Sequence, residues 1–306
     1  MLVLLTGGTG GAKLVQGFNL EARPEDLVII CNTADDFVFH GLHISPDLDT
    51  ITYTMAGLSD AAKGWGIRDD TFVVLDWLGR LGGESWFKLG DRDLATHIMR
   101  SNLLREGLTL SQITERIRKR LGIESIILPM SDDRVETRIE TPNGEISFQD
   151  YFVRGRWRDE VHGITFTGVE KCRPAPGVLD SIREASAVIL CPSNPITSIG
   201  PILTVPGIRS ALRETRARII AVSPIIRGMP YSGPAHKFMA AMGIEVSAFG
   251  VASAYRDFLT LILIALEDSE LMRKIEGLGI QTVTTSIRLE SLDDRRRVAR
   301  ELLALL

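Results

Sequence analysis

Leu2-Val-Leu-Leu-Thr-Gly-Gly-Thr-Gly-Gly-Ala-Lys13 opens the chain. Four apolar residues in succession, without polar alternation, read as a strand buried on both faces. The glycines bring the backbone round a tight turn, and the pattern beyond them predicts a helix from Ala12 to Leu20. Pro24 interrupts the chain before Leu27-Val-Ile-Ile-Cys31, a second strand rich in β-branched residues. Strand, helix and buried strand make a βαβ unit, whose strands are parallel and whose ligands bind at the strands' carboxyl ends. Ala187-Val-Ile-Leu-Cys191 and Arg218-Ile-Ile-Ala-Val222 have the same character, and Ser125-Ile-Ile-Leu128 adds another strand. The expected fold class is α/β, a Rossmann-like three-layer α/β/α parallel sheet.

Between about Ile51 and Gly122 the pattern is helical, with no evident sheet strand. Thr109 to Gly122 places Leu110, Ile113, Ile117 and Leu121 along one stripe and stops at glycine. Its Arg-Lys-Arg run reads as a solvated helix face rather than a nucleic-acid patch. A single domain over residues 1–306 with a helical insert at about 60–122 is therefore expected. Pro142-Asn143-Gly144 between Val135–Glu140 and Glu145–Gln149 signals a hairpin, for which Asn-Gly suits a type I′ turn. Ile164-Thr-Phe-Thr-Gly168 is a further strand candidate. Phe258-Leu-Thr-Leu-Ile-Leu-Ile-Ala-Leu266, the most apolar stretch, is too short to span a bilayer and reads as a buried helix.

A length of 306 residues allows one large α/β domain, and 44% hydrophobic with 24% charged residues is ordinary for a globular protein. The formal net charge of -4, without a compact basic block, argues against a nucleic-acid partner. Three cysteines and no CxxC pair exclude a disulfide framework or zinc cluster and fit a reducing cytoplasm, the expected location. The start lacks the basic flank of a signal peptide, and no membrane association is expected.

Chemistry concentrates where the strands end. The glycine turn fails the P-loop pattern, because Leu14 follows Lys13, and it fails G-x-G-x-x-[GA], because Lys13 stands in the last place counted from Gly8. What remains is the physics of unhindered N–H groups at a helix start: Gly8, Thr9, Gly10 and Gly11 can hold an anion, with Lys13 to neutralise it. After the second strand come Asp35 and Asp36, then Asp47 and Asp49, hard oxygen ligands suited to a magnesium ion that bridges phosphates. His40 and His43, spaced to share a helical face, lack a third zinc ligand, and His40 is expected to hydrogen-bond substrate instead. Arg92, in Asp91-Arg-Asp93, can clamp a phosphate or a polar ring edge. Cys191-Pro-Ser-Asn-Pro-Ile-Thr-Ser198 supplies Ser193, Asn194 and Ser198 at another strand end as a nucleotide-contact loop. No serine–histidine–acid spacing suggests a nucleophile.

Together the strings GGTGGAK, NTADD, HGLHISPDLDT, GWGIRDDT, LGDRDLATH, LPMSDDRVET, PSNPITSIGPIL and SPIIRG resemble the 2-phospho-L-lactate transferase (CofD-like) family of deazaflavin coenzyme biosynthesis. They span about the first three quarters of the chain. The resemblance implies a magnesium-dependent enzyme that moves a 2-phospholactyl-type group from a diphosphoguanosine donor to the deazaflavin Fo and releases GMP. It implies metal ligation by Asp36, Asp47 and Asp49, and catalytic roles for Asp47, Asp49 and Arg92. It places Asp49, Arg92 and His40 at the deazaflavin, and the glycine turn with Ser193 and Asn194 at the guanosine diphosphate. A homodimer is likewise implied. Where the family often carries further aspartates, this chain has Leu261-Ile-Leu-Ile-Ala-Leu266 and Thr282-Val-Thr-Thr-Ser286. The rival is a non-catalytic nucleotide-binding regulator of the gluconeogenesis-factor-like type, which shares the GGTG turn and an ADD string. The PDLDT and GDRDLATH strings favour the transferase.

Overall fold

The structure is a computed structural model and describes residues 1–60 and 63–306. Strands β1 (Leu2–Thr6) and β2 (Leu27–Cys31) pair in parallel, Leu2 opposite Leu27 and Thr6 opposite Cys31, across helix α1 (Gly8–Glu21). A hairpin of β3 (Phe37–Phe39) and β4 (Leu42–Ile44) leads into α2 (Pro46–Met55). Then come α3 (Val73–Arg80), α4 (Asp91–Arg105) and α5 (Leu110–Arg120), before β5 (Ile126–Pro129) returns beside β2. A separate antiparallel sheet follows, built from β6 (Glu136–Thr141), β7 (Gly144–Ser147) and β8 (Gly163–Thr167) in the order β7-β6-β8. The main sheet continues with β9 (Ala187–Leu190) and β10 (Arg218–Val222), passes the short ribbon β11 (Ile225–Ile226) and β12 (Met229–Pro230), and ends with β13 (Leu261–Ala265) and β14 (Gln281–Thr285).

The seven-stranded sheet has the order β14-β13-β10-β9-β1-β2-β5, with every neighbouring pair parallel. The chain builds outward from β1 through β2 to β5, then restarts on the other flank with β9. The winding therefore reverses between β1 and β9, and the crevice outside their carboxyl ends is where such sheets bind ligands.

Alternation of side chains explains the unbroken apolar runs. Val3, Leu5, Val28, Ile30, Val188 and Leu190 join one core. Leu2, Leu4, Leu27, Ile29, Ala187 and Ile189 join the other. The second core is covered by α1, through Leu14, Val15 and Phe18, and by helix Leu292–Ala304, through Val298, Ala299 and Leu302. Gly17 allows that helix to approach, since a Cβ there would collide with the Arg295 carbonyl. No helix among the described residues is long and apolar enough to cross a membrane.

The α/β class and the parallel sheet agree with the sequence; between residues 63 and 122 the regular elements are the helices α3, α4 and α5, joined by loops, with a bridge between Ser59 and Ile67. Three local expectations need correction. Leu261–Ala265 is a buried strand rather than a helix, because β10 and β14 flank it and supply its hydrogen bonds. Periodicity cannot separate a buried strand from a buried helix in so short an apolar run. The β6–β7 turn pairs Thr141 with Gly144 and so centres on Pro142 and Asn143, neither of which has positive φ. The fixed φ of proline excludes type I′ there, and Gly144 takes the left-handed conformation at φ +110°. His40 and His43 lie on the β3–β4 hairpin, not on a helix.

Candidate active site

Helix α1 begins at Gly8, earlier than the apolar pattern shows, so the glycines form its first turn. Gly8 has φ +66°, a backbone conformation that a side chain would strain. A Cβ on Gly7 would lie 2.7 Å from Asp47 Oδ2 and 2.8 Å from Ser198 Cβ. A Cβ on Gly11 would collide with the Thr6 and Ser193 hydroxyls. The helix start is thus pressed between the loop after β9 and the start of α2, and Gly7 N–H donates to Ser193 Oγ at 3.3 Å. Asn194 shapes that loop by accepting from the Ile196 and Thr197 N–H groups, at 3.0 and 3.3 Å.

The acidic side faces this turn. Asn32 Nδ2 donates to Asp47 Oδ2 at 2.9 Å and to Asp35 Oδ2 at 3.1 Å. Gly8 N–H also donates to Asp47. Asp36 Oδ2 accepts from His43 Nε2 at 3.0 Å and from Ser45 Oγ at 2.6 Å. The remaining oxygens, Asp35 Oδ1 and Asp36 Oδ1, are buried without a hydrogen-bond partner. Burial pushes the Asp47 carboxyl up to about 6. It also raises Asp35 well above the carboxylate range, reinforced by the charge of Asp47, and raises Asp36. Buried carboxylates with orphaned oxygens are open to a further positive charge, and a divalent cation with oxygen preference fits them.

Asp49 belongs to a different network. Both its oxygens accept from the buried Arg100 guanidinium, one of them from Nη1 at 3.0 Å. Burial works against the Arg100 charge, but Asp49 outweighs it and holds that group above its usual value. His97 Nδ1 is 3.6 Å from Asp49, and Arg100 Nη1 is 3.3 Å from the same ring nitrogen. His97 Nε2 lies 3.1 Å from Asp93 Oδ1, out of line for a hydrogen bond, while Tyr53 Oη donates to that oxygen at 2.7 Å. Ligand atoms of Asp49, Asp93 and His97 lie within 4.8 Å of one another. Arg100 already neutralises this group, so the cation fits the Asp35, Asp36 and Asp47 cluster better.

Both networks meet at a cavity of about 380 Å³ outside β1 and β9. Of the residues singled out in the sequence, Gly8, Thr9, Gly10, Asp47 and Asp49 line it, as do Ser193, Asn194 and Ser198. Gly11 is buried behind the wall. Lys13 is half-buried outside the cavity, 4.9 Å over the Tyr231 ring, and burial together with Arg295 draws its pKa down. Asp35 lines the cavity, and Asp36 is not on its wall. His40 is exposed at the hairpin turn, with Nε2 2.8 Å from the Glu84 carbonyl. Arg92 is exposed, points its Nη1 at the Arg68 carbonyl at 3.3 Å, and is not on the wall.

The wall also holds Phe87 and Lys88 from the segment entering α4 and Asp93 and His97 from α4 itself, with Trp65 from the loop before α3 and Phe148, Gln149 and Phe152 from the segment after β7. Asp93 and His97 are one helical turn apart on the buried face of α4, a spacing that was visible in the sequence. The aromatic wall carried no such signal.

Parallel strands, a reversal of winding and a ligand cavity at that reversal define a Rossmann-like α/β protein. Within that class, the model of the family described as 2-phospho-L-lactate transferase CofD matches residues 2–297. The chain belongs to that family and is a transferase. The 2-phospho-L-lactate transferase of Methanosarcina mazei is 41% identical over 298 residues, 97% of this chain and 98% of that protein. The phosphoenolpyruvate transferase of Streptomyces griseus is 41% identical over 310 residues, 99% of this chain and 98% of the other. A crystal structure of a UPF0052-family protein from Bacillus halodurans superposes with a TM-score of 0.65 at 18% identity, covering 99% of this chain and 98% of its own, which shows the shared fold.

Proposed function

We propose that the chain transfers a 2-phospholactyl-type group, or its phosphoenolpyruvyl or phosphoglyceryl counterpart, from a diphosphoguanosine donor to the deazaflavin Fo. The carrying observation is one cavity in which a glycine-started helix faces buried carboxylates, two of which have an oxygen without a hydrogen-bond partner. Relatives named for 2-phospho-L-lactate and for phosphoenolpyruvate support the same chemistry with different donors.

In this reading the terminal hydroxyl oxygen of Fo forms a bond to the phosphorus that bears the hydroxy-acid group. The bond from that phosphorus to the GMP oxygen breaks, and GMP leaves with the electron pair. Such a transfer needs positioning and charge neutralisation more than covalent chemistry. The N–H groups of Thr9 and Gly10 hold the diphosphate at the start of α1. Asp35, Asp36 and Asp47 would hold magnesium, which when bound neutralises charge on the phosphoryl oxygens. Asp49, fixed in one orientation by Arg100, accepts the hydrogen bond of the attacking hydroxyl and takes its proton as the bond to phosphorus forms.

Incubating the protein with Fo, magnesium and each donor in turn, then weighing the products, tests the reading. A mass equal to Fo plus the phosphoryl-acid group is expected with one donor, together with GMP. Absence of any adduct with all three donors overturns it. We read the chain as a homodimer as well: α3 and the residue after it expose Val73, Val74, Trp77 and Leu81, an apolar surface that a second copy would cover. Light scattering on the purified protein decides this.

A further inference from the structure

Asp150–Arg154 is a single π-helical turn, with the Gly155 N–H donating to the Asp150 carbonyl at 2.7 Å. Turns of this width are rare and concentrate at functional sites. This one and the residues entering it put Phe148, Gln149, Phe152 and Val153 together on the cavity wall, beside Phe238. The Phe148 and Phe152 rings are parallel, 10° apart in plane with centroids 5.3 Å apart, and Phe238 lies 6.3 Å from Phe148. Among these apolar faces sits one buried amide. Gln149 uses one N–H on the Asp35 carbonyl at 3.0 Å. Among the described residues no partner takes its carbonyl oxygen or its second N–H.

We propose that this wall seats the planar heteroaromatic ring of a substrate, with Gln149 reading an amide edge of that ring. Ring faces bind aromatic and apolar surface, and a donor beside an acceptor on Gln149 matches a ring carbonyl next to a ring N–H. The inference rests on the transferase reading for its two sources, because guanine and the pyrimidinedione part of a deazaflavin both carry such an edge. The anchor of Gln149 on the Asp35 carbonyl ties the ring seat to the segment that carries the carboxylate cluster.

The test titrates the full chain, with magnesium, separately with GDP, Fo and inorganic pyrophosphate. Phe152→Ala is expected to weaken one of the two ring ligands about tenfold or more, the size of one stacking contact, and to leave pyrophosphate unchanged. Gln149→Leu is expected to weaken the same ligand. Phe152→Leu keeps apolar bulk and is expected to lose less. The ligand affected says whether the ring is guanine or deazaflavin. Wild-type affinity for both ring ligands in Phe152→Ala and Gln149→Leu overturns the proposal, and so does an equal loss for pyrophosphate. These ring effects in the variants, together with a wild-type protein that transfers no group, leave the seat standing and overturn only the transferase reading. A wild-type protein that binds neither ring ligand overturns both.

Discussion

Asn32 and Asp47 are joined by a 2.9 Å hydrogen bond across the mouth of the winding reversal, and the same amide nitrogen reaches Asp35 at 3.1 Å. One neutral donor shared by two carboxylates cannot balance their charge. Burial accordingly lifts Asp47 to about 6 and raises Asp35 as well. The sign is set by linkage. A carboxyl with a raised folded pKa binds more protons folded than unfolded, so stability falls as pH rises from the unfolded value, about 4, toward about 6. The fall is up to about 1.4 kcal/mol per pH unit for each such group. Metal-free protein is therefore expected to lose melting temperature between about pH 4 and about pH 6, and magnesium to restore it at neutral pH. Asp47→Asn is expected to flatten the fall and to reduce the magnesium effect. Melting scans over that range, with and without the ion, check both; an equal magnesium response in Asp47→Asn would remove Asp47 from the metal.

The buried Asp49–Arg100 pair makes a second prediction. Arg100→Met leaves the Asp49 charge alone in the interior, which costs about 3–5 kcal/mol. Asp49→Asn strands Arg100 in the same way, so a loss of transfer in that variant mixes chemistry with instability. The double variant Asp49→Asn with Arg100→Met is expected to recover much of the stability and none of the activity. Denaturant midpoints measured beside turnover separate the two effects.

Gly7→Ala tests the close approach of α1 to α2. The added methyl would stand 2.7 Å from Asp47 Oδ2 and 2.8 Å from Ser198 Cβ. Overpacking of this kind costs about 1–3 kcal/mol, and here it also pushes Asp47 away from Asn32. Activity is expected to drop well beyond what the loss of stability explains. Turnover at a temperature where the variant remains folded is the measurement.

Much of this was legible in the sequence because it is written in local patterns. Buried strands at Leu2–Thr6 and Leu27–Cys31 are continuous apolar runs, and the parallel order follows from them. The acids after β2 stand at a strand end, which marked them as site residues. What could not be read was partnership across distance. Arg100 lies 51 residues from Asp49, so nothing local shows that the guanidinium takes both oxygens. The aromatic wall depends on a π-helical turn that brings the segment after β7 to the mouth of the main sheet, and composition does not encode that turn.

The string Lys88-Leu-Gly-Asp-Arg92 carries the last prediction. Both cations lie near the start of α4, and the resemblance assigns the deazaflavin to Arg92. In the structure Lys88 is on the cavity wall, while the Arg92 guanidinium turns to the Arg68 carbonyl at 3.3 Å. A cation on the wall can neutralise a phosphate or hold a polar ring edge; one turned away and solvated contributes little beyond a screened field. Lys88→Ala is expected to raise KM about tenfold or more with a smaller change in kcat, the mark of lost substrate binding. Arg92→Ala is expected to stay within about twofold of wild type in both constants. Steady-state kinetics on the two variants decide between them: a tenfold loss confined to Arg92→Ala would return the role to Arg92 and would mean that the α4 entry segment rearranges when substrate binds.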